Sequence, residues 1–193
     1  MKLLFLLTLL LLMTTVRPAP LPAIGAEIPM SMLAINSQLK IKSSLSVDFR
    51  GGMKQRIDVD PNDPFHSVRA RIVGFKVSAE LPDNGNGEPS QVIIEQNNID
   101  TDAKSTLRIT QQFPPKFEHV IVLDSISLTI VEGTGNPMVL TNADPMTLVG
   151  TLTQFPPKGD LYQLQSPVNF VDPENPDRPA ATLQTFPAKI GGL

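Results

Sequence analysis

Apolar and polar residues alternate with a period of two along most of this 193-residue chain, which is the strongest constraint on its fold. In QLKIKSSLSVDF (residues 38–49) the apolar residues share one phase, as in a strand with one buried face. The run HVIVLDSISLTIV (119–131) predicts another buried face, formed by Val120, Val122, Ile126, Leu128 and Ile130. The best helix candidate, MSMLAINS (30–37), is one or two turns long.

Prolines and glycines divide the chain into short alternating runs. The chain contains 19 prolines and 12 glycines, and the segments between them predict eight to ten short strands and little helix. We therefore expect an all-β protein, specifically a single-domain antiparallel β-sandwich, with a closed β-barrel as the alternative.

Two glycine positions predict specific features of the strands. Gly51-Gly52 lies between two alternating runs, which predicts a hairpin turn there. In SVRARIVGFKVSAEL (67–81) the apolar phase changes beside Gly74, which predicts a bulge or a bend where the strand crosses between sheets.

The amino-terminal sequence predicts export. Lys2 precedes the eleven-residue apolar run LLFLLTLLLLM, which is shorter than the roughly 20 residues that span a bilayer. Such a run after a positive charge is typical of a secretory signal peptide. We predict a signal peptide over residues 1–19, cleaved between 15 and 25, an extended or short-helical segment over 20–36, and one β domain over 37–193. The protein is expected to be secreted and extracellular.

Charge and cysteine content exclude several functions. Removal of residues 1–18 takes away Lys2 and Arg17 and leaves 14 basic against 19 acidic residues, a net charge of −5. Without a basic cluster, neither nucleic acid nor an anionic membrane is an expected partner. The chain has no cysteine, so disulfides, thiol catalysis and thiolate metal sites are excluded.

A short motif occurs three times, as QQFPPK (111–116), TQFPPK (153–158) and QTFPAK (184–189). A residue before proline favours an extended conformation, and proline has no N–H for strand pairing. The motif therefore predicts that Phe113, Phe155 and Phe186 each end a strand. The alternative is an exposed proline-rich ligand for an aromatic groove.

Catalytic and cofactor-binding patterns are not found in the sequence. His66 and His119 are the two histidines, and both are expected to be exposed or to cap a chain segment. The sequence contains neither G-x-S-x-G nor H-E-x-x-H. With no tryptophan and one tyrosine, Tyr162, carbohydrate binding by ring stacking is not expected either. We predict a protein that is not an enzyme, with no catalytic residues and no cofactor.

Two acidic stretches raise the question of calcium. DVDPNDP (58–64) contains Asp58, Asp60, Asn62 and Asp63, whose oxygens are of the type that binds Ca²⁺. The stretch is not an EF-hand loop, because Asp63 stands where that loop needs glycine. VDPENPD (171–177) is similar, and both stretches are also ordinary turn sequences. Calcium binding by the first stretch is a hypothesis.

These observations predict a secreted, non-catalytic β-sandwich with a structural or binding role in extracellular material, such as a matrix or a secreted coat. Its partner would be an extracellular protein or the matrix. The alternative is a carrier that holds a small apolar ligand in a barrel or in a cavity between sheets.

Overall fold

The computed structural model describes residues 21–81, 90–133 and 135–193, which form strands and no helix. The strands are β1 (Glu27–Lys40), β2 (Ser44–Val59), β3 (Ser67–Leu81), β4 (Ser90–Gln96), β5 (Ser105–Gln111), β6 (Lys116–Leu123), β7 (Ile126–Val131), β8 (Met138–Asn142), β9 (Met146–Leu152), β10 (Lys158–Leu164), β11 (Val168–Asp172), β12 (Asn175–Thr185) and β13 (Ala188–Gly192). The predicted signal peptide lies outside the described residues. Within the described ranges, no helix has the length and apolarity needed to cross a membrane.

The all-β prediction is confirmed, although the strands number thirteen and not eight to ten. All of them belong to one antiparallel sheet, whereas a sandwich is built from two. The helix candidate at residues 30–37 is wrong, since these residues lie in β1, where Met30, Met32 and Ala34 are buried in alternation. The predicted boundary between residues 36 and 37 also falls within β1.

The pairing of the strands closes two rings that share β1, β2 and β3. The first ring continues from β3 through β5, β6, β9, β10 and β13 back to β1. The second ring continues from β3 through β4, β7, β8, β11 and β12 back to β1. Each ring therefore contains eight strands, and three long strands serve both.

The outer two shared strands change partner at a bulge. β1 pairs with β13 through residues 30–34 and with β12 through residues 38–40, and its register shifts between Ala34 and Ser37. β3 pairs with β5 through residues 67–70 and with β4 through residues 76–81. An extra residue interrupts β3 where Lys54 pairs with Gly74 and Gln55 with Ile72. This confirms the bulge predicted beside Gly74.

The predicted hairpin turn at Gly51-Gly52 is wrong. Both glycines lie in the middle of the 16-residue β2. They are needed for a close approach of neighbouring backbones, since a Cβ at Gly52 would lie 2.5 Å from the carbonyl oxygen of Met30. A side chain at Gly51 would collide with the backbone of Lys76 on the other side. Gly51 and Gly52 therefore lie where the backbones of neighbouring strands leave no room for a side chain.

The three Phe-Pro repeats all connect strands, but the predicted place of the phenylalanine is wrong. β5 ends at Gln111 and β9 at Leu152, so Phe113 and Phe155 lie in the loops to β6 and β10. Phe186 follows the end of β12. Phe113 is 75% exposed, Phe155 is half-buried and Phe186 is buried. The repeat thus keeps its role as a strand connection while its aromatic side chain occupies three different environments.

Candidate ligand-binding site

An open groove of about 580 Å³ lies beside the bulge of β3. We call it the seam groove, because it lies where β3 changes partner between the two rings. Its polar edge includes the ion pair between Lys76 and Glu95, with 3.0 Å between Nζ and Oε2. Lys54, Gln96, Asn97 and Asn98 also line it. Its apolar residues are Met30, Met53, Val73, Phe75, Ile99 and Leu193.

Two glycines contribute to the seam groove. Gly52 and Gly74 both line it and place no side chain there. A Cβ built on Gly74 would have no atom within 4 Å, so this position opens into empty space. The bulge and the glycines together leave a depression in a surface that side chains would otherwise fill.

The connection between β4 and β5 forms one side of the seam groove. We call residues 97–104 the strap, and two arginines of β3 hold it. Arg71 Nη1 donates to the carbonyl oxygens of Asp100 (3.2 Å) and Thr101 (3.0 Å). Arg69 Nη1 donates to the carbonyl oxygen of Ala103 (3.1 Å). These bonds fix the strap to the backbone of the shared strands.

The carboxylate of Asp100, within the strap, binds the strap to β3 and β4. Asp100 Oδ2 accepts the Ile72 N–H at 3.3 Å, and its Oδ1 accepts an N–H of Gln96 at 3.0 Å. Burial raises the pKa of the Asp100 carboxyl above its ordinary value. Ile99 stands beside Asp100 in the strap and is 61% exposed at the groove.

The interior of the first ring contains a hydrogen-bonded group of polar side chains. We call Gln55, His119 and Tyr162 the polar cluster, and all three are buried. Gln55 Nε2 lies 3.2 Å from His119 Nε2, and the Tyr162 hydroxyl lies 2.7 Å from His119 Nδ1. Because β2 carries Gln55 and the opposite wall carries the other two, the cluster crosses the ring.

The local sequence positions the tyrosine and the histidine. Gly150 on β9 pairs with His119 on β6 and with Tyr162 on β10. A Cβ at Gly150 would lie 2.7 Å from the Tyr162 ring, so glycine is required for the ring to lie across β9. Phe155 packs edge-on against the His119 ring, with 5.5 Å between centroids.

The polar cluster is uncharged at neutral pH. Burial lowers the pKa of His119 from 6.5 to about 3, so the imidazole is neutral. Burial also raises the pKa of the Tyr162 hydroxyl, as does the nearby charge of Asp160. A histidine with so low a pKa is a poor general base near pH 7.

Methionine side chains connect the seam groove with the polar cluster. Met53 lines the groove, and its Sδ lies 3.5 Å from Gln55 Nε2. Gln55 Oε1 is buried and has no hydrogen-bond partner among the described residues. Met30 pairs with Met53 across β1 and β2 and also lines the groove. The two features are therefore adjacent.

Other depressions are less suited to an apolar ligand. One of about 780 Å³ is lined mainly by polar residues of β2, β3 and β4 and their neighbours, including Asp48, Arg50 and Glu80. Another, of about 350 Å³, lies by Leu164, Phe186 and Pro187. The first offers charged groups that stay hydrated, and the second is smaller than the seam groove.

The residues of the calcium hypothesis bind partners within the protein. Asp58 accepts from Arg71 Nε at 2.8 Å, and Asp60 accepts from Arg69 Nε at 3.2 Å. Asp63 bonds the His66 ring at 3.0 Å, and the Asn62 N–H donates to Asp60. Within the described ranges, no group of three or more histidine, aspartate or glutamate side chains is placed to hold a metal ion. Calcium binding stays a prediction.

The second acidic stretch forms the turn between β11 and β12. The Glu174 N–H donates to Asp172 Oδ1 at 3.0 Å, and Asp172 pairs with Asn175. This is the side-chain-to-backbone bonding expected of aspartate in a turn.

The two histidines lie in different environments. His66 is exposed beside Asp63, as predicted. The prediction for His119 is wrong, because it is fully buried. The alternation predicted for this strand was correct, but the wrong face was assigned as buried, with Val120 and Val122. In β6 the buried residues are Phe117, His119, Ile121 and Leu123. The alternation with Ile121 and Leu123 was the available signal for His119, whereas nothing in the sequence indicated Gln55 as its partner.

Comparisons with known proteins give one informative match. The sequence matches no known protein family and none of the curated proteins. The fold is similar to that of DynF, from the dynemicin biosynthesis pathway of Micromonospora chersina. The TM-score is 0.59 at 14% sequence identity, over 91% of this chain and 82% of DynF. At this identity, the likeness shows a common fold.

The predicted role in a matrix or secreted coat is contradicted. DynF, a solved structure with a similar fold, comes from a biosynthesis pathway and offers no parallel to a structural protein of extracellular material. The alternative prediction, a carrier of a small apolar ligand, agrees better with the fold and with the seam groove. Export from the cell stays a prediction.

Proposed function

We propose that this protein binds a small, mostly apolar molecule in the seam groove. The observation that carries the proposal is the groove itself, with about 580 Å³ of space at the junction of the rings and six apolar residues among those that line it. Sites for small molecules typically have volumes of about 300–1,000 Å³ and a mainly apolar lining with a few polar groups.

The surroundings of the groove favour binding without a large loss of conformational freedom. One side belongs to strands shared by both rings, and the other is the strap, which Arg69 and Arg71 bind to β3. A site that is already formed requires less ordering when the ligand arrives. The likeness to DynF also supports a role with small molecules, since that protein belongs to a biosynthesis pathway.

The proposed activity is binding without chemical change of the ligand. The two histidines do not supply a general base at the groove: His66 bonds Asp63 in a loop, and His119 is buried and neutral. We further propose that the protein acts after export, as the amino-terminal sequence predicts. Amino-terminal sequencing of the product secreted from a eukaryotic or bacterial host would test export independently of binding.

The binding test uses N-phenyl-1-naphthylamine, an uncharged apolar dye whose fluorescence rises in apolar surroundings. We expect saturable binding to the wild type and a loss of at least about tenfold in affinity for Gly74→Leu. The leucine side chain would enter the open space at Gly74 and fill the groove without striking another atom at its Cβ.

The matched control is Ser78→Leu, which adds the same side chain at an exposed position of the same strand, away from the seam groove. This variant should bind the dye as the wild type does. Thermal unfolding of both variants verifies that they are folded. Equal dye affinity in folded Gly74→Leu and wild type would refute the groove as the site.

A further inference from the structure

The amide oxygen of Gln55 is buried and has no hydrogen-bond partner among the described residues. As placed, Gln55 Nε2 faces His119 Nε2 and Met53 Sδ, and Oε1 has no partner among the described residues. The oxygen of this fully buried side chain is therefore unsatisfied, which costs free energy.

The chemistry of the polar cluster limits what can satisfy Gln55. Its three side chains are uncharged, and they are an amide, an imidazole and a phenol. A carboxylate or an ammonium group would enter this apolar interior without an opposite charge in the cluster, which is strongly unfavourable. A hydroxyl group can both donate and accept, so it satisfies Gln55 in either orientation of the amide.

Met53 provides a route from the seam groove to Gln55. Its side chain lies between them, in contact with the amide nitrogen, and its residue lines the groove. Methionine is unbranched and has three rotatable side-chain bonds, so its side chain can adopt several rotamers. Rotation of Met53 would bring a group at the floor of the groove into reach of Gln55.

We propose that the ligand is an uncharged alcohol whose apolar part occupies the seam groove and whose hydroxyl group bonds Gln55 after displacing the side chain of Met53. This inference rests on the proposed function and adds the chemical class of the ligand. It also gives the buried polar cluster a role in recognition, because a chain of hydrogen bonds links Gln55 through His119 to Tyr162.

The chain contains a built-in reporter for this event. Tyr162 is its one tyrosine, and it has no tryptophan, so tyrosine fluorescence reports on the polar cluster alone. Its hydroxyl lies 2.7 Å from His119, which in turn contacts Gln55. A hydroxyl that engages Gln55 should therefore change the Tyr162 emission, whereas a molecule that stays in the groove should not.

The experiment compares 1-octanol with 1-chlorooctane, which has a similar chain but no hydroxyl. Affinities are measured by displacement of N-phenyl-1-naphthylamine from wild type and from Gln55→Leu. We expect Gln55→Leu to weaken 1-octanol binding about tenfold, the loss of one buried hydrogen bond, and to leave 1-chlorooctane binding unchanged. Gln91→Leu, at an exposed position of β4, is the control and should change neither.

Tyr162 fluorescence of the wild type gives a second measurement that does not depend on the folding of a variant. It should change on saturation with 1-octanol and stay constant with 1-chlorooctane. An equal effect of Gln55→Leu on both compounds, or unchanged Tyr162 emission with 1-octanol, would overturn the alcohol inference while dye binding still supported the groove. Absence of dye binding to the wild type would instead overturn the proposed function.

Discussion

The two rings share three strands, yet their interiors are filled in different ways. In the second ring, Phe170 of β11 is among the largest fully buried side chains, and the buried polar residues of β4 and β7 are serines, Ser90 and Ser127. The first ring encloses Gln55, His119 and Tyr162, joined by hydrogen bonds. The hydrogen-bonded polar cluster thus lies in one ring, and that ring adjoins the candidate ligand site.

The largest effect should come from the second ring. Phe170→Ala removes a fully buried aromatic side chain and should lower the free energy of unfolding by about 3–5 kcal/mol. Tyr162→Phe keeps the ring and removes one hydroxyl, so a smaller loss of about 1–2 kcal/mol is expected. Chemical denaturation of both variants measures the difference. A loss for Tyr162→Phe as large as that for Phe170→Ala would mean that the polar cluster is the main support of the fold.

The next prediction concerns the pH dependence of the unfolding free energy, to which His119 in the first ring contributes. His119 has a pKa of about 3 in the folded protein and an ordinary value of 6.5 when unfolded, so between these values the unfolded chain binds more protons. The contribution of His119 to stability is therefore constant above pH 6.5. It falls below that pH, with a slope approaching about 1.4 kcal/mol per pH unit.

This pH dependence is measured as the difference in unfolding free energy between wild type and His119→Phe from pH 4 to pH 8. The unfolding free energy of the wild type minus that of the variant should decrease as the pH falls below 6.5, because the variant lacks the titrating group. Phe113→Ala, which changes an exposed side chain that does not titrate, is the control and should follow the wild type closely. Parallel curves for wild type and His119→Phe would contradict the neutral, buried state of His119.

The last comparison concerns the repeated Phe-Pro motif and includes the smallest expected effects. Phe155 is half-buried against His119, so Phe155→Ala should cost about 1–3 kcal/mol. Phe113 is 75% exposed, so Phe113→Ala should stay within about 0.5 kcal/mol, as should Lys158→Ala. Thermal or chemical unfolding of the three variants ranks them. Equal losses for Phe113→Ala and Phe155→Ala would show that the motif acts through its turn alone and not through its contact with the first ring.

The alternation in the sequence was sufficient to predict the class of the fold and the bulge at Gly74. It was insufficient for Gly51-Gly52, because glycine serves equally in a turn and where two backbones approach closely. The phase of β6 was also missed, since apolar residues occupy both of its faces, as in Val120 and Ile121. When both faces of a strand carry apolar residues, the sequence no longer indicates which face is turned to the interior.

The candidate site was less predictable than the fold. The seam groove depends on where β3 changes partner, and that depends on pairings between strands distant in sequence. Likewise, Gln55 and His119 are 64 residues apart, and no local pattern indicates that they meet. The carboxylates that suggested calcium were visible in the sequence, but their partners Arg69 and Arg71 belong to the next strand.

The sharing of β1 between both rings has a consequence for how the chain folds. Its two ring-closing partners, β12 and β13, lie at residues 175–192, and Gln38 bonds Thr185 across 147 residues. Such distant contacts slow folding, because the entropy of closing long loops is lost before the contacts form. Neither ring can be completed on the ribosome before these last strands emerge. Until then the strands already made have an open edge, so an edge available for pairing with other chains persists for most of synthesis.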